Sequence, residues 1–250
     1  MGGKRRPRAG VRSKAKDART GRGLTPSSAR WLARQRRDRF AADARAQGLR
    51  SRAAFKLMEL DDRFGLLARR ARIVDLGAAP GGWTQVAVER TGAARGEGCV
   101  VALDLGEVEP VPGAAILIGD VHALDAPGRV LAALGGPADA VLSDMAAPAT
   151  GHAATDGLRA VALGEAALAF ALRVLAPGGT FAFKLLMGPS SEELVAHVKR
   201  HFGTVKQARP KASRKESKEV YVIALDLRRP NLSQVGGQDG GPNDSRVKRP

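Results

Sequence analysis

The sequence predicts an α/β protein built on a mostly parallel sheet with helices on both faces. Three observations carry that expectation. Short apolar runs recur along the middle of the chain: "RIVDLG", "CVVALDL", "AAILIGD", "ADAVLSDM", "GGTFAFKLL" and "EVYVIALDL". Segments with helical spacing of Ala and Leu separate several of them, as in "DGLRAVALGEAALAFALRVL" (Asp156–Leu175). The runs are continuously apolar, which is the pattern of strands buried on both sides.

The elements follow in order. Met1 to about Pro26 is Gly, Lys and Arg with little to bury, and predicts a disordered basic arm. Ser27–Gly48 reads as a helix, with Ser27 and Ser28 able to cap its start and Gly48 able to end it. Trp31, Leu32 and Phe40 are its apolar anchors, and Arg dominates the rest. Ser51–Leu67 is a second helix, with Phe55, Met58 and Leu60 near one face and Gly65 as its stop. Strands and helices then alternate as far as Phe202. "TVKQARP" and "EVYVIALDL" have no long helix between them, so they are expected to pair antiparallel. From Pro230 onward the chain is a Gly, Pro and polar tail, expected to be disordered. The expected organisation is a basic arm over 1–26, one globular domain over 27–229, and a tail over 230–250.

Charge is unevenly spread over the 250 residues, whose net charge is +16. Residues 1–50 hold 16 Lys and Arg against 3 Asp and Glu, whereas residues 51–205 hold 14 against 17. Residues 206–250 hold 11 against 5. A near-neutral body with basic ends suits a polyanion, because each cation that meets a phosphate releases counterions. An anionic membrane surface fits less well, since the arm lacks an apolar face. No stretch reaches the roughly 20 apolar residues of a membrane span, and no apolar region follows the basic start, so the cytoplasm is the expected compartment. The single cysteine, Cys99, cannot form an intramolecular disulfide and is expected to be a small core residue. His122, His152, His197 and His201 show no metal-binding spacing, so no metal is expected.

The stretch "DLGAAPGGW" marks a ligand turn. Gly77, Gly81 and Gly82 permit a tight turn and close backbone approach. A dinucleotide fingerprint reads G-x-G-x-x-G, whereas here the spacing is G-x-x-x-G-G with Pro80 inside, which is wrong for a pyrophosphate. Asp75 two residues before the turn also sits awkwardly beside a phosphate and prefers a cation or hydroxyl donors. Ligands of open α/β sheets bind outside the carboxyl ends of the strands, where Asp75, Asp104, Asp120 and Asp144 are expected as a rim of acids. Asp104 has the position of the acid that takes ribose hydroxyls, and Asp120 could accept from an adenine amino group. S-adenosylmethionine, with a sulfonium, an amino group, ribose hydroxyls and no phosphate, matches this set better than a nicotinamide dinucleotide.

Lys56, Lys184, Glu219 and Asp144 each interrupt or end an apolar stretch. Charges in such settings are costly unless paired, and two lysines with two carboxylates can neutralise each other. Burial and a second cation lower a lysine's pKa, while a carboxylate orients it, so Lys184 held by Asp144 and crowded by Lys56 could take a proton from a hydroxyl. The same four residues would equally serve as a buried ion-pair network holding strand ends together.

The blocks "SARWL", "GLRSRAAFKL", "VDLGAAPGGW", "ALDL", "GD", "LSDMA", "LAPGGTFAFK" and "SKEVY" together resemble the FtsJ-type ribosomal RNA large-subunit methyltransferase E family, from about Ser28 to Leu227. The resemblance implies a Rossmann-like methyltransferase fold with a seven-stranded sheet, and S-adenosylmethionine as methyl donor. It implies 2′-O-methylation of a uridine ribose in the A loop of 23S rRNA, on the assembled large subunit, by a protein expected to be monomeric. The family's catalytic tetrad falls on Lys56, Asp144, Lys184 and Glu219, with Lys184 as proton acceptor. Its cofactor contacts fall on Gly81, Trp83, Asp104, Asp120 and Asp144. The chain departs from the family pattern at Ala54, where an aromatic is common, at Pro148, which stands one place late with no Asn after it, and at Met187, where Gln is common. A non-catalytic ribosome-assembly factor that keeps the fold and basic arm is the competing reading, which the intact tetrad disfavours. Arg36, Arg37, Arg39, Arg50, Arg52 and the basic loop Lys211–Glu219 are expected to meet RNA phosphates, and His152 could line the RNA path.

Overall fold

In the computed structural model the described residues are 38–228, apart from Pro189 and Lys215. The chain divides into a segment ending at Arg39 and a compact body from Phe40 onward. The expected arm, the tail over 230–250, and the Ser27 and Ser28 caps with Trp31, Arg36 and Arg37 lie outside the described residues.

The described end of the first predicted helix is α1 (Arg39–Ala46), and Gly48 follows it in the left-handed region at φ 70°. Helix α2 (Ala53–Phe64) ends as the sequence indicates: Gly65 takes φ 64° and its N–H bonds the Asp61 carbonyl. Its buried face is Ala54, Leu57 and Leu60, joined by Lys56 and Asp61. The expected face of Phe55 and Met58 is therefore turned; Phe55 instead meets the ring of Phe40 on α1, 5.9 Å between centroids.

The remaining elements are β1 (Arg72–Leu76), α3 (Gly82–Thr91), β2 (Cys99–Asp104), β3 (Ala114–Ile118), α4 (Ala126–Leu134), β4 (Ala138–Ser143), α5 (Ala153–Val174), β5 (Leu175–Leu186), α6 (Ser191–His201), β6 (Phe202–Ala208) and β7 (Glu219–Leu227). The sheet has seven strands in the order β3-β2-β1-β4-β5-β7-β6. The first five strands are parallel to their neighbours, and β7 runs antiparallel to both β5 and β6. That is the expected mostly parallel sheet with an antiparallel end.

Alternation along the strands divides the core into two layers. Val74, Val101, Val141, Phe181, Phe183 and Val222 pack with α4, α5 and α6. Ile73, Val100, Leu142, Ala182, Tyr221 and Ile223 pack with α2 and α3. Helix α6 begins with Glu192 and Glu193 and ends with Lys199, Arg200 and His201, charges that suit the helix dipole. Cys99 is half-buried at the start of β2 with its thiol 3.7 Å from the Ala133 carbonyl, and burial raises its pKa. No helix among the described residues is long and apolar enough to cross a membrane.

Candidate active site

Strand register assembles the charged set. Lys184 stands directly across from Tyr221 in the β5–β7 pair. Glu219 lies two residues before Tyr221 and so shares its face of the sheet. Ser143 pairs with Phe183, which places Asp144, the next residue, beside Lys184. Helix α2 covers this same face and brings Lys56 down onto it.

The side chains form one continuous chain of contacts. Lys56 Nζ is 2.7 Å from Glu219 Oε1 and donates to Tyr221 Oη at 3.1 Å. Tyr221 Oη donates to Asp144 Oδ1 at 2.7 Å. Lys184 Nζ donates to the same Oδ1 at 2.9 Å and to the Asp144 backbone carbonyl at 2.6 Å. All four sequence-predicted residues therefore meet, but Tyr221 stands between the two ion pairs. The expected crowding of Lys184 by Lys56 is replaced by a bridged arrangement in which each lysine has its own carboxylate.

Tyr221 is the member of this network that sequence reasoning missed. The signal was present: it is the chain's single tyrosine and lies two positions along a strand from Glu219. Burial, then the charges of Asp144 and Glu219, hold its phenol well above the ordinary pKa, so it remains a neutral donor. Its ring lies 5.6 Å from that of Trp83. For Glu219, burial pushes the pKa up, but the Lys56 charge and hydrogen bond outweigh it, and the carboxyl ends below its ordinary value.

Asp144 also lines a cavity of about 480 Å³ at the carboxyl ends of the strands. Gly77, Ala79, Leu103, Asp104, Leu105, Asp120, Val121 and Pro148 contribute to its wall. The expected acids are met there by local donors. Asp104 accepts from Ala79 N–H at 2.9 Å and Gly106 N–H at 2.8 Å. Asp120 Oδ1 accepts the His122 N–H at 2.9 Å and lies 2.8 Å from His122 Nδ1, contacts that lower its pKa.

Asp75 departs from the rim reading. It is fully buried beneath the turn, and its Oδ2 accepts from the Thr84 hydroxyl at 2.7 Å. Its other oxygen has no hydrogen-bond partner. Burial, with added repulsion from Asp144 and Asp104, raises its pKa to about 7 against the Thr84 bond. The expected hydroxyl donor exists, but it belongs to the protein.

Gly81 and Trp83 lie outside the cavity wall. Gly81 takes φ 107° and starts α3, and a Cβ there would fall 2.6 Å from Arg50 Nη1. Trp83 is buried and donates its indole N–H to the Ala53 carbonyl at 2.7 Å. Of the five expected cofactor contacts, Asp104, Asp120 and Asp144 line the cavity, and Gly81 and Trp83 do not.

Arg50 is likewise committed elsewhere. It donates to the carbonyls of Pro80 (3.3 Å), Glu109 (2.6 Å) and Pro110 (2.7 Å), and its own N–H bonds Gln85 Oε1 at 2.9 Å. It pins the glycine turn to the β2–β3 connection, in place of the phosphate contact the sequence suggested. Of the departures, Ala54 is fully buried in the α2 core, Pro148 lines the cavity, and Met187 is partly exposed. His152 is exposed just before α5.

A family model for FtsJ-like methyltransferases matches residues 49–227. The chain belongs to the FtsJ-like methyltransferase family. It is 51% identical over 227 residues to a protein of Granulibacter bethesdensis named ribosomal RNA large subunit methyltransferase E, covering 91% of this chain and 96% of the relative. A protein of the same name from Paramagnetospirillum magneticum is 52% identical, covering 89% and 92%. A crystal structure described as a ribosomal RNA methyltransferase from Plasmodium falciparum superposes with a TM-score of 0.63 at 27% identity, covering 71% of this chain and 98% of that one. The Rossmann-like fold expected from the sequence is thereby shown. In this FtsJ-like chain, the charged set adjoins the rim where α/β folds bind their ligands.

Proposed function

We propose that this protein transfers a methyl group from S-adenosylmethionine to the 2′-hydroxyl of a uridine ribose in the A loop of 23S rRNA, acting in the cytoplasm on the large ribosomal subunit. The observation that carries the reading is the bridged chain Glu219–Lys56–Tyr221–Asp144–Lys184, whose Asp144 lines the large cavity. The family and its relatives' names support a methyltransferase of large-subunit rRNA.

The cavity fits the donor. Its wall holds three carboxylates and, among the described residues, no Lys or Arg, so it suits a cationic nucleoside and not a pyrophosphate. Asp104, oriented by two backbone N–H groups, has lone pairs left for ribose hydroxyls. Asp120 would accept from the adenine amino group, and Leu105 and Val121 supply apolar wall beside it. Gly81 and Trp83 would support this pocket by fixing the turn. When bound, S-adenosylmethionine supplies a methyl on a cationic sulfur that leaves as a neutral thioether.

The protein's own groups do the rest. In its neutral amine form Lys184 would accept the proton of the 2′-hydroxyl as that oxygen takes the methyl group. The ammonium formed is met by the Asp144 carboxylate and carbonyl, which already stand in place. Lys56 and Glu219 position the ribose, and Tyr221 couples them to Asp144. Holding two reactants in line supplies much of the rate.

The test is to incubate unmethylated large subunits with methyl-labelled S-adenosylmethionine and map the label. A ribose 2′-O-methyl group in the A loop is the expected product, and a base methyl group or no label overturns the reading. Lys184→Ala is expected to lower kcat by about 10²–10⁴, the range for a lost general base. Label incorporation at full rate in that variant refutes Lys184 as the base.

A further inference from the structure

A second, smaller cavity of about 260 Å³ is lined by Arg52, Lys56, Arg214, Ser217 and Glu219. The tetrad thus contributes to two cavities, with Asp144 on the wall of one and Lys56 and Glu219 on the wall of the other. Three of the five lining residues are cationic, and the one carboxylate, Glu219, pairs with Lys56 and also attracts Arg52.

The fold holds this cavity in place. The Lys211 N–H bonds Glu59 of α2 at 2.7 Å, and Arg52 donates to the Ala212 carbonyl, so the loop before β7 is tied to α2 at two points. Arg209 fixes the backbone of Arg214 by donating to its carbonyl at 2.9 Å. The Arg52 guanidinium also lies over the Phe40 ring, 5.6 Å from its centroid. Burial and then the neighbouring Arg214 charge lower the Arg52 pKa, against the pull of Glu219. A cavity wall that carries more cations than carboxylates favours an anion. Planar fork donors match the oxygens of a phosphate.

We propose that this cavity is a phosphodiester subsite, taking the phosphate on the 3′-oxygen of the nucleotide that is methylated. The inference rests on the 2′-hydroxyl reading above. The 2′- and 3′-oxygens sit on adjacent ring carbons, so a ribose offering its 2′-oxygen to the tetrad carries its 3′-phosphate on the same edge. The 5′-phosphate leaves from the far side of the ring. Lys56 lines the subsite and belongs to the tetrad, so phosphate capture sets the hydroxyl in register with Lys184. The accepted nucleotide is consequently one inside an RNA chain, because a 3′-terminal nucleoside has nothing to place between Arg52 and Arg214.

The test uses the full-length protein and a fluorescent single-stranded RNA, displaced by uridine 3′-monophosphate or uridine 5′-monophosphate. The 3′-isomer is expected to displace the RNA at about tenfold lower concentration. That preference is expected to fall to within about twofold in Arg52→Gln and in Arg214→Gln, and to survive in part in Arg214→Lys, which keeps the charge. Arg214 is exposed, so its variants read the subsite without disturbing the core. Each Gln variant is also expected to reduce the slope of log K against log salt for single-stranded RNA by about 0.7. Equal potency of the two nucleotides, including no displacement by either, overturns the assignment, as does an unchanged preference in both Gln variants. Displacement does not depend on turnover, so a failure of ribose methylation refutes the functional reading and leaves the subsite to be judged on this measurement alone.

Discussion

Tyr221→Phe removes one oxygen from the centre of the site and leaves the ring that packs near Trp83. That oxygen donates to Asp144 at 2.7 Å and accepts from Lys56 at 3.1 Å, and both partners are charged. Hydrogen bonds to charged groups are worth about 1.5–3 kcal/mol each. Lys56 keeps Glu219 and Asp144 keeps Lys184, so neither charge is orphaned and the loss should stay near one such bond. If that energy holds Asp144 and Lys184 in the reactive geometry, kcat falls about ten- to a hundredfold, since about 1.4 kcal/mol is a factor of ten. KM for S-adenosylmethionine should change by less than about threefold, because Tyr221 does not itself line the cavity that holds Asp104 and Asp120. The assay is steady-state methylation of large subunits, with urea unfolding in parallel to read stability. A variant with wild-type kcat and unchanged stability refutes the bridge as a working part of the site. In the double variant with Lys56→Ala, the two effects are expected to be non-additive, as for members of one network.

Two further outcomes concern Asp75 and Arg50. Asp75 has a raised pKa of about 7, so the folded chain keeps a proton that the unfolded chain has already lost above about pH 4. Stability therefore falls as pH rises from about 4 to 7, by up to about 4 kcal/mol from this residue. Asp75→Asn keeps the acceptor for Thr84 and carries no charge, so its unfolding free energy should gain on the wild type between pH 5 and pH 8; a constant difference across that range refutes the assignment. Arg50→Ala frees the glycine turn from the β2–β3 connection and is expected to raise the Kd for S-adenosylmethionine about tenfold, with the salt slope of RNA binding unchanged. A slope reduced by about 0.7 would mean that Arg50 meets a phosphate after all.

Much of this protein was legible in the sequence, because its information is local. Apolar runs separated by helical spacers indicate parallel strands, since crossover helices cover both faces of such a sheet. Gly65 ends α2 because a left-handed terminus favours a residue without a Cβ. Acids at strand ends mark the ligand rim wherever the fold places it, and the tetrad was found because charged residues in apolar contexts need partners. What only the tertiary structure decided depends on register and on competition for donors. The pairing of Lys184 with Tyr221 across β5 and β7 turned an unremarked strand tyrosine into the bridge between two ion pairs. Asp75 and Arg50 look like ligand-binding residues in the sequence, yet Thr84 and three backbone carbonyls claim them first. A charge's partner is set by what lies within about 3 Å, and that distance is fixed by packing between segments far apart in the chain.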